Sequence, residues 1–207
     1  EDKMVDPYFT MLWSHDTPTV VSAGPDGELV DITVIAGTLR DGDSSVTAQR
    51  PPPNSWASRA EADLAIWHLR FDADACWTLP GAARTETERV LYAFGGSSLT
   101  INGERVDAGN GALLNDPTQT IELVAGDGGV EVMLLQGRPI GEPVTRYGPF
   151  VMNTEAEIRQ AFQDYQQTQF GGWPWPSDDP THGVDEGRFA HHADGELERF
   201  DREAVTA

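Results

Sequence analysis

Histidine and carboxylate side chains near the apolar segments of this chain are the first candidates for acid–base or metal chemistry. His68 lies in an alternating segment, residues 63–71, which predicts a strand. An imidazole there could bind a metal ion or act as a general base, although a lone strand histidine is more often a packed or surface residue. Glu86 and Glu88 are the other titratable candidates near the strands. One hypothesis is therefore an enzyme with an unorthodox site that uses His68, Glu86 or Glu88.

The remaining histidines give weaker signals. His15 lies beside Asp16, and such a neighbour pair is typical of an exposed turn rather than a catalytic dyad. His182, His191 and His192 lie among Asp and Glu residues near the end of the chain. A metal-binding tail and a solvated or disordered segment are both compatible with this composition, which favours the second.

The overall composition is acidic and rich in glycine and proline. Lys and Arg number 14 against 34 Asp and Glu, which gives a formal charge of −20 over 207 residues. Such a charge disfavours direct binding to nucleic acid or to an anionic membrane, and no apolar run reaches membrane-spanning length. Cys76 is the single cysteine, so we interpret it as a buried inert thiol and expect a cytoplasmic protein. The start at Glu1, without a Met, predicts a piece of a longer protein.

Short apolar runs separated by turn residues predict an all-β domain. Residues 29–36 alternate apolar and polar side chains, and the Gly24–Gly27 turn predicts a hairpin with residues 20–23. Asn102-Gly103 is a second strong hairpin signal. Strand candidates recur every eight to twelve residues or so, a cadence that predicts a β-sandwich or barrel.

Two segments of this domain have the composition of loops. We interpret the polar residues 37–45 as a loop. Residues 50–56 contain three consecutive prolines and predict an extended strap, with Trp56 tucked against the β-domain. A ligand for a proline-recognition module is the alternative interpretation of that strap.

Residues 137–154 contain many Gly and Pro residues but also apolar side chains, which predicts an ordered strap leading into a helix. Thr154 and Glu157 form the pattern of a capping box. Gly171-Gly172 is expected to end the helix. Its apolar face consists of Ile158, Ala161, Phe162 and Tyr165.

These motifs resemble a known family. The cadence Phe94-Gly95-Gly96, Asn102-Gly103 and Gly109-x-Gly111 is similar to that of a small cupin jelly roll. The runs Gly137–Val144 and Tyr147–Thr154 resemble the C-terminal half of the pirin family. Residues 3–8 resemble the segment that joins the two cupins of a pirin, and residues 170–175 resemble a bacterial branch. The expected fold is an all-β, cupin-type jelly-roll barrel with one C-terminal amphipathic helix and long straps.

The resemblance implies a function for the full protein rather than for this half. Pirins are bicupins whose iron site, three histidines and a glutamate, lies in the N-terminal cupin. The family is associated with quercetin 2,3-dioxygenase activity and, in eukaryotes, with transcription coregulation. In this chain both histidine motifs of a cupin barrel are missing, and Glu86 and Glu88 without imidazoles make a poor transition-metal site. We therefore expect no cofactor in this chain, iron in the N-terminal cupin, and that cupin as the partner.

A third hypothesis is a regulatory module that binds a protein partner through Trp56 or the segment Trp173–Trp175. The chain as a whole is predicted to divide into four segments, with at most a weak helix from 196 to 203. These segments are an interdomain linker (1–18), a cupin-like barrel with its strap (19–152), a C-terminal helix (153–172) and a polar, partly disordered tail (173–207).

Overall fold

The computed structural model of the chain forms two compact units, Glu1–Ile140 and Gly141–Ala207. Within the described residues, no helix is both long enough and apolar enough to cross a membrane. The division into four segments remains a prediction. The residues that the structure describes are 4–6, 8–41, 44–173, 176–178, 181–192 and 194–200.

The first unit is built on an antiparallel six-stranded sheet with the strand order β1-β2-β5-β12-β7-β10. Alternate side chains point to opposite faces of each strand, so one face enters the core and the other faces outward. The strands are β1 (Thr19–Ala23), β2 (Leu29–Ala36), β5 (Ala65–Phe71), β7 (Glu88–Gly96), β10 (Asn110–Leu113) and β12 (Val130–Gly137).

A second sheet of four strands, with the order β6-β11-β8-β9, shares one core with the first. Its strands are β6 (Cys76–Leu79), β8 (Ser98–Ile101), β9 (Glu104–Asp107) and β11 (Ile121–Ala125). The core residues of the six-stranded sheet are Val30, Ile32, Val34, Ala65, Trp67, Leu69, Phe71, Leu91, Ala93, Val130, Val132 and Leu134. Those of the four-stranded sheet are Trp77, Leu79, Leu99, Ile121, Leu123 and Ala125.

Turn chemistry explains why consecutive strands pair. The Gly24–Gly27 turn connects β1 and β2, which are antiparallel as the sequence predicts. Asn102 and Gly103 both have positive φ, 47° and 87°, as a tight two-residue hairpin turn requires. This turn joins β8 to β9 and confirms the second predicted hairpin.

The interpretation of residues 37–45 as a loop is wrong. Strands β3 (Thr38–Asp41) and β4 (Ser44–Thr47) pair there as a short antiparallel hairpin. Their largely polar sequences show no clear apolar alternation. The two segments are therefore identified as strands mainly by their pairing in the structure. The hydroxyls of Thr38 and Thr47 lie 3.0 Å apart across the pair and support it.

The proline strap folds into turns. The Pro52 carbonyl accepts hydrogen bonds from the Ser55 backbone N–H and hydroxyl, and the Pro53 carbonyl accepts one from the Ser58 hydroxyl. Two 3-10 turns follow, Trp56–Ser58 and Ala60–Ala62. Because the carbonyls are already bound within the strap, a free polyproline ligand is disfavoured here.

The second unit contains the predicted helix. The hairpin β13 (Thr145–Tyr147) and β14 (Phe150–Met152) precedes α1 (Glu155–Thr168), and the capping box between Thr154 and Glu157 is present. The helix ends before the predicted glycines, because Gln169 already has a left-handed φ of 49° and a 3-10 turn, Gln169–Gly171, follows.

Aromatic side chains pack the hairpin against the helix. The rings of Phe150 and Phe162 meet edge to face with centroids 4.8 Å apart, and Tyr147 lies 5.6 Å from Phe162. The helix also buries Ile158 and Ala161, as its periodicity predicts.

The tail also contains regular structure within the described residues. A 3-10 turn, Val184–Glu186, precedes a second short hairpin of β15 (Phe189–His191) and β16 (Leu197–Arg199). A strand at 197–199 replaces the weak helix expected from residue 196, and residues 201–203 of that expectation lie outside the described residues.

Candidate functional site

His68 is the sequence candidate with the most developed surroundings. In β5 the inward positions are occupied by Trp67 and Leu69, so His68 lies on the outer face of the sheet, where it is half-buried. Its Nε2 atom lies 2.9 Å from Oε2 of Glu131 in β12. The pair is a hydrogen-bonded imidazole and carboxylate, an arrangement that orients a histidine and can support proton transfer.

An ion pair lies next to this contact on the same face of the sheet. Arg70 forms an ion pair with Asp31, and its Nε donates to Oδ2 of Asp31 at 3.1 Å. The hydrogen bond that Arg70 donates to Asp31 is the main reason that the pKa of Arg70 is raised, and the negative charge of Asp31 adds to it. An open cavity of about 190 Å³ lies beside these groups, lined by Arg70, Phe71, Gly96, Gly128, Val130 and Glu131.

An aromatic ring borders the His68 pair. Phe94 stacks on the imidazole with centroids 5.7 Å apart and an angle of 27° between the rings. Phe94 faces outward by the alternation of β7 and is the extra residue of a bulge, because Ala93 and Gly95 pair with the consecutive residues Val132 and Glu131 of β12. His68, Glu131 and Phe94 therefore form one cluster, which we call the His68 cluster.

The structure does not bring Glu86 and Glu88 to this cluster. His68 pairs with Met133 and Glu88 with Gly137, which places them about 13 Å apart along the sheet. Glu86 is exposed, and its own backbone N–H and then the Thr85 hydroxyl lower the pKa of its carboxyl. A catalytic role for any of these residues remains a prediction.

The other histidines are dispersed. His182 lies 3.0 Å from the carbonyl of Gly187, and His192 lies 3.1 Å from Glu198, whereas His191 is exposed in β15. Across the described part of the chain, no three His, Cys, Asp or Glu side chains are grouped so that they could hold a metal ion.

Two further predicted residues have defined contacts. Trp56 is half-buried, and its indole N–H donates to the carbonyl of Arg138 at 2.9 Å, as expected for a tucked side chain. Trp173 is exposed and donates to the Ser177 carbonyl at 2.7 Å, while residues 174 and 175 of that segment lie outside the described residues. Cys76 is half-buried rather than buried.

Arg89 is a buried residue that the sequence reasoning missed. Its side chain is fully buried, and its guanidinium donates to the carbonyls of Pro80 at 2.8 Å and Pro117 at 3.1 Å. Burial lowers its pKa to about 10, an effect that the charge of Asp63 opposes. The signal was available, because Arg89 alternates with the inward-facing Leu91 and Ala93.

Asp63 organises the segment next to Arg89. Asp63 has a left-handed φ of 46°, and its Oδ2 accepts from the backbone N–H groups of Ala83 and Arg84 and from the hydroxyl of Thr87. Gln136 donates to the backbone carbonyl of Asp63 at 3.0 Å. These contacts are structural, because the carboxylate is already used to hold the 80–87 segment.

Known proteins resemble this chain at both the sequence and the fold level. A Pseudomonas aeruginosa protein provisionally named quercetin 2,3-dioxygenase is 32% identical over 155 residues, which are 73% of this chain and 49% of the relative. A pirin-like protein from Solanum lycopersicum is 28% identical over 175 residues, 80% of this chain and 51% of that protein. The chain therefore spans about half the length of the curated relatives it matches.

A solved structure also resembles this chain in its fold. A crystal structure of quercetin 2,3-dioxygenase from Acinetobacter baumannii matches with a TM-score of 0.62 and 22% identity over 82% of this chain and 53% of that chain. At this identity the likeness establishes the fold, which is a cupin jelly roll with one helix. Residues 66–171, about half of the chain, match the family model described as the pirin C-terminal cupin domain. The chain belongs to the pirin family and contains its C-terminal cupin domain.

Proposed function

We propose that this chain is the metal-free C-terminal cupin half of a pirin-like protein, and that it supports an N-terminal cupin that carries the iron. The matched relatives are about twice as long as the matched region, which supports a missing half of similar size. The names of those relatives support a quercetin 2,3-dioxygenase-like activity for the full protein. A protein-binding regulatory role is the alternative that the sequence left open.

The observation that carries this proposal is the filling of the core between the two sheets. The inward positions of β5, β7 and β12 are occupied by packed apolar side chains with almost no exposed surface. Among the described residues, the buried polar side chains are Thr87, Arg89 and Ser98, and only Arg89 carries a charge. A buried guanidinium repels a metal cation and offers no ligand atom, so this interior does not fit iron.

The test measures metal and turnover in the same preparation. The chain is purified after expression with ferrous iron, its iron content is measured by plasma mass spectrometry, and quercetin consumption is followed by absorbance. We expect iron well below one atom per chain and no quercetin consumption. The Acinetobacter baumannii quercetin 2,3-dioxygenase, prepared in parallel, is the positive control. One iron per chain together with turnover would refute the proposal.

One contact favours a second candidate, an enzyme with its own unorthodox site. The 2.9 Å contact between His68 and Glu131, beside Phe94 and an open cavity, has the composition of an acid–base site. The same quercetin assay tests this candidate. Turnover that is lost in His68→Gln but kept in Glu88→Gln supports it. Turnover that survives in His68→Gln removes it.

A further inference from the structure

Asn102-Gly103 and Asn110-Gly111 are the two places in the sequence where a glycine follows an asparagine. This dipeptide is chemically labile, because the backbone nitrogen of the glycine can attack the side-chain amide carbon of the asparagine. The glycine has no Cβ atom that would hinder the approach. Both dipeptides are exposed in the structure, but their surroundings hold them in different ways.

The Asn102-Gly103 turn is fixed to the neighbouring strand β11. The Asn102 side-chain oxygen Oδ1 accepts a hydrogen bond from the Glu122 N–H at 2.9 Å, and the Asn102 N–H donates to the Glu122 carbonyl at 2.9 Å. Asn102 also has the left-handed φ of 47° that the turn requires. Its amide carbon cannot reach the Gly103 nitrogen unless these contacts break, so the folded chain should protect this dipeptide.

The Asn110-Gly111 dipeptide lies at the start of β10, which is the last strand of the six-stranded sheet. The Asn110 side chain donates from Nδ2 to the carbonyl of Asp107 at 3.1 Å, and both residues are exposed. Water competes for a hydrogen bond in such a position, so this contact breaks at little cost. The side chain of Asn110 is therefore held more weakly than that of Asn102.

The hydrogen bonds of β10 show which way the Gly111 N–H points. The Leu114 N–H donates to the carbonyl of Arg89, the residue opposite it on β7. Along an antiparallel pair, residues alternate between bonding to the partner strand and pointing away from it. Ala112 therefore bonds to β7, whereas the Gly111 N–H points away from β7, toward the edge of the sheet. The nitrogen that would attack is outside the hydrogen-bond ladder.

A bulge at the start of β10 weakens the pairing there. The Gly109 N–H donates to the Ala93 carbonyl at 2.7 Å, although Ala93 is already the register partner of Asn110. Two consecutive residues thus lie opposite one residue of β7, which disrupts the ladder locally. A four-residue edge strand with such a bulge opens more easily than an interior strand. Opening gives Asn110 the backbone freedom that ring closure needs.

We propose that Asn110 is a site of spontaneous deamidation and that the fold protects Asn102 from the same reaction. The Gly111 nitrogen loses its proton to solvent and bonds to the side-chain carbon of Asn110, while Nδ2 leaves as ammonia. The product is a cyclic imide. Water then adds to either of its carbonyl carbons and opens the ring, which leaves aspartate or isoaspartate at position 110.

Isoaspartate at position 110 would change the strand itself. The main chain then runs through the former side chain, which adds a methylene group to the backbone and leaves a free carboxylate. A Cβ atom on Gly111 would lie 3.0 Å from the ring of Tyr92, so this ring packs against the bare backbone of the next residue. An inserted methylene shifts the later residues of β10 relative to β7, so the strand should lose its register and this contact.

The test compares the two asparagines within one sample. The full chain is incubated at mildly alkaline pH and then digested with trypsin, which cuts after Arg105 and places Asn102 and Asn110 in different peptides. Mass spectrometry with fragmentation measures the deamidated fraction at each position. Asn110 should react at least about fivefold faster than Asn102 in the folded chain. In urea the two rates should agree within about twofold, because the contacts that distinguish them are gone.

A second measurement tests the effect on the strand. The chain with isoaspartate at position 110 is separated by ion exchange, and its amide exchange is read by mass spectrometry. Residues 108–114 should exchange at least about fivefold faster than in the unmodified chain. Asn110→Asp is the matched control, because it adds the charge without the methylene group. It should stay within about twofold of the unmodified chain.

The possible outcomes are distinct. Equal rates at the two asparagines of the folded chain, or a faster reaction at Asn102, would overturn the inference. So would a folded chain that gains no deamidated Asn110 while the chain in urea reacts to completion. Isoaspartate that leaves the exchange of residues 108–114 unchanged would show that β10 tolerates the insertion, and would overturn the structural part. The proposed function is unaffected by any of these results, because it concerns the iron-bearing half.

Discussion

At the residue scale, Arg89 is a charge held inside an apolar core by two proline carbonyls. Replacing Arg89 by Ala should lower the free energy of unfolding by about 3 kcal/mol, because it leaves a cavity and removes the hydrogen bonds of the guanidinium to the Pro80 and Pro117 carbonyls. Arg89→Met fills most of the volume and should lose about half as much. Urea unfolding followed by tryptophan fluorescence measures the free energy of unfolding of both variants. Arg105→Met on the exposed strand β9 is the control, and its free energy of unfolding should lie within about 0.5 kcal/mol of the wild-type value.

The pH dependence of the same variants has a defined sign. Burial lowers the pKa of Arg89 from its ordinary value to about 10, so above about pH 10 the unfolded chain binds more protons at this site than the folded chain does. Stability rises with pH wherever the unfolded state binds more protons. The wild-type chain should therefore gain stability relative to Arg89→Met as the pH rises through about 10. A difference that stays flat from about pH 8 to 11 would contradict the burial argument.

Residue-scale sequence reasoning succeeds where a pattern is local. The alternation of Trp67, Leu69 and His68 is enough to place the histidine on the outer face. The partner Glu131 lies 63 residues away, and only the pairing of β5 with β12 brings it to His68. No spacing rule in a single sequence encodes such a contact, so the His68 cluster is visible only in the fold.

At the scale of elements, the capping box stabilises the first turn of α1. The Thr154 hydroxyl accepts the Glu157 N–H, and the Glu157 carboxylate accepts the Thr154 N–H. Thr154→Ala should lower local helix stability by about 1 kcal/mol, so amide exchange in the first turns should accelerate about fivefold. Hydrogen exchange read by mass spectrometry tests this, with Thr154→Ser as the control that keeps the hydroxyl. Equal exchange in the alanine variant would show that packing by Ile158 and Ala161 alone fixes the helix start.

Elements with strong local chemistry are predictable from this sequence, and others are not. The glycine turn after β1, the Asn102-Gly103 turn and the capping box each specify their own geometry. The hairpin of β3 and β4 is polar, and its pairing is a tertiary outcome. The early end of α1 at Gln169 also escapes prediction, because a non-glycine residue there adopts the left-handed conformation.

At the scale of the whole molecule, the charge of −20 affects stability as well as solubility. Like charges repel more strongly in the compact state than in the unfolded chain, and salt screens this repulsion. The urea midpoint should therefore rise between about 50 mM and about 500 mM NaCl. An equal rise in KCl would identify screening rather than binding of one ion. A midpoint that does not move with either salt would show that the charges are already paired or well separated.

The contact between Tyr92 and Gly111 has an evolutionary consequence. A Cβ atom at position 111 would lie 3.0 Å from the Tyr92 ring, so a side chain there would force the ring to shift by a few tenths of an ångström, and the two positions are coupled. In homologous C-terminal halves, a glycine at the position of Gly111 should accompany an aromatic residue at the position of Tyr92. A larger residue at the position of Gly111 should accompany a smaller one at the position of Tyr92. Such covariation would let the contact be recognised in relatives from sequence alone, although its two residues are nineteen positions apart on paired strands.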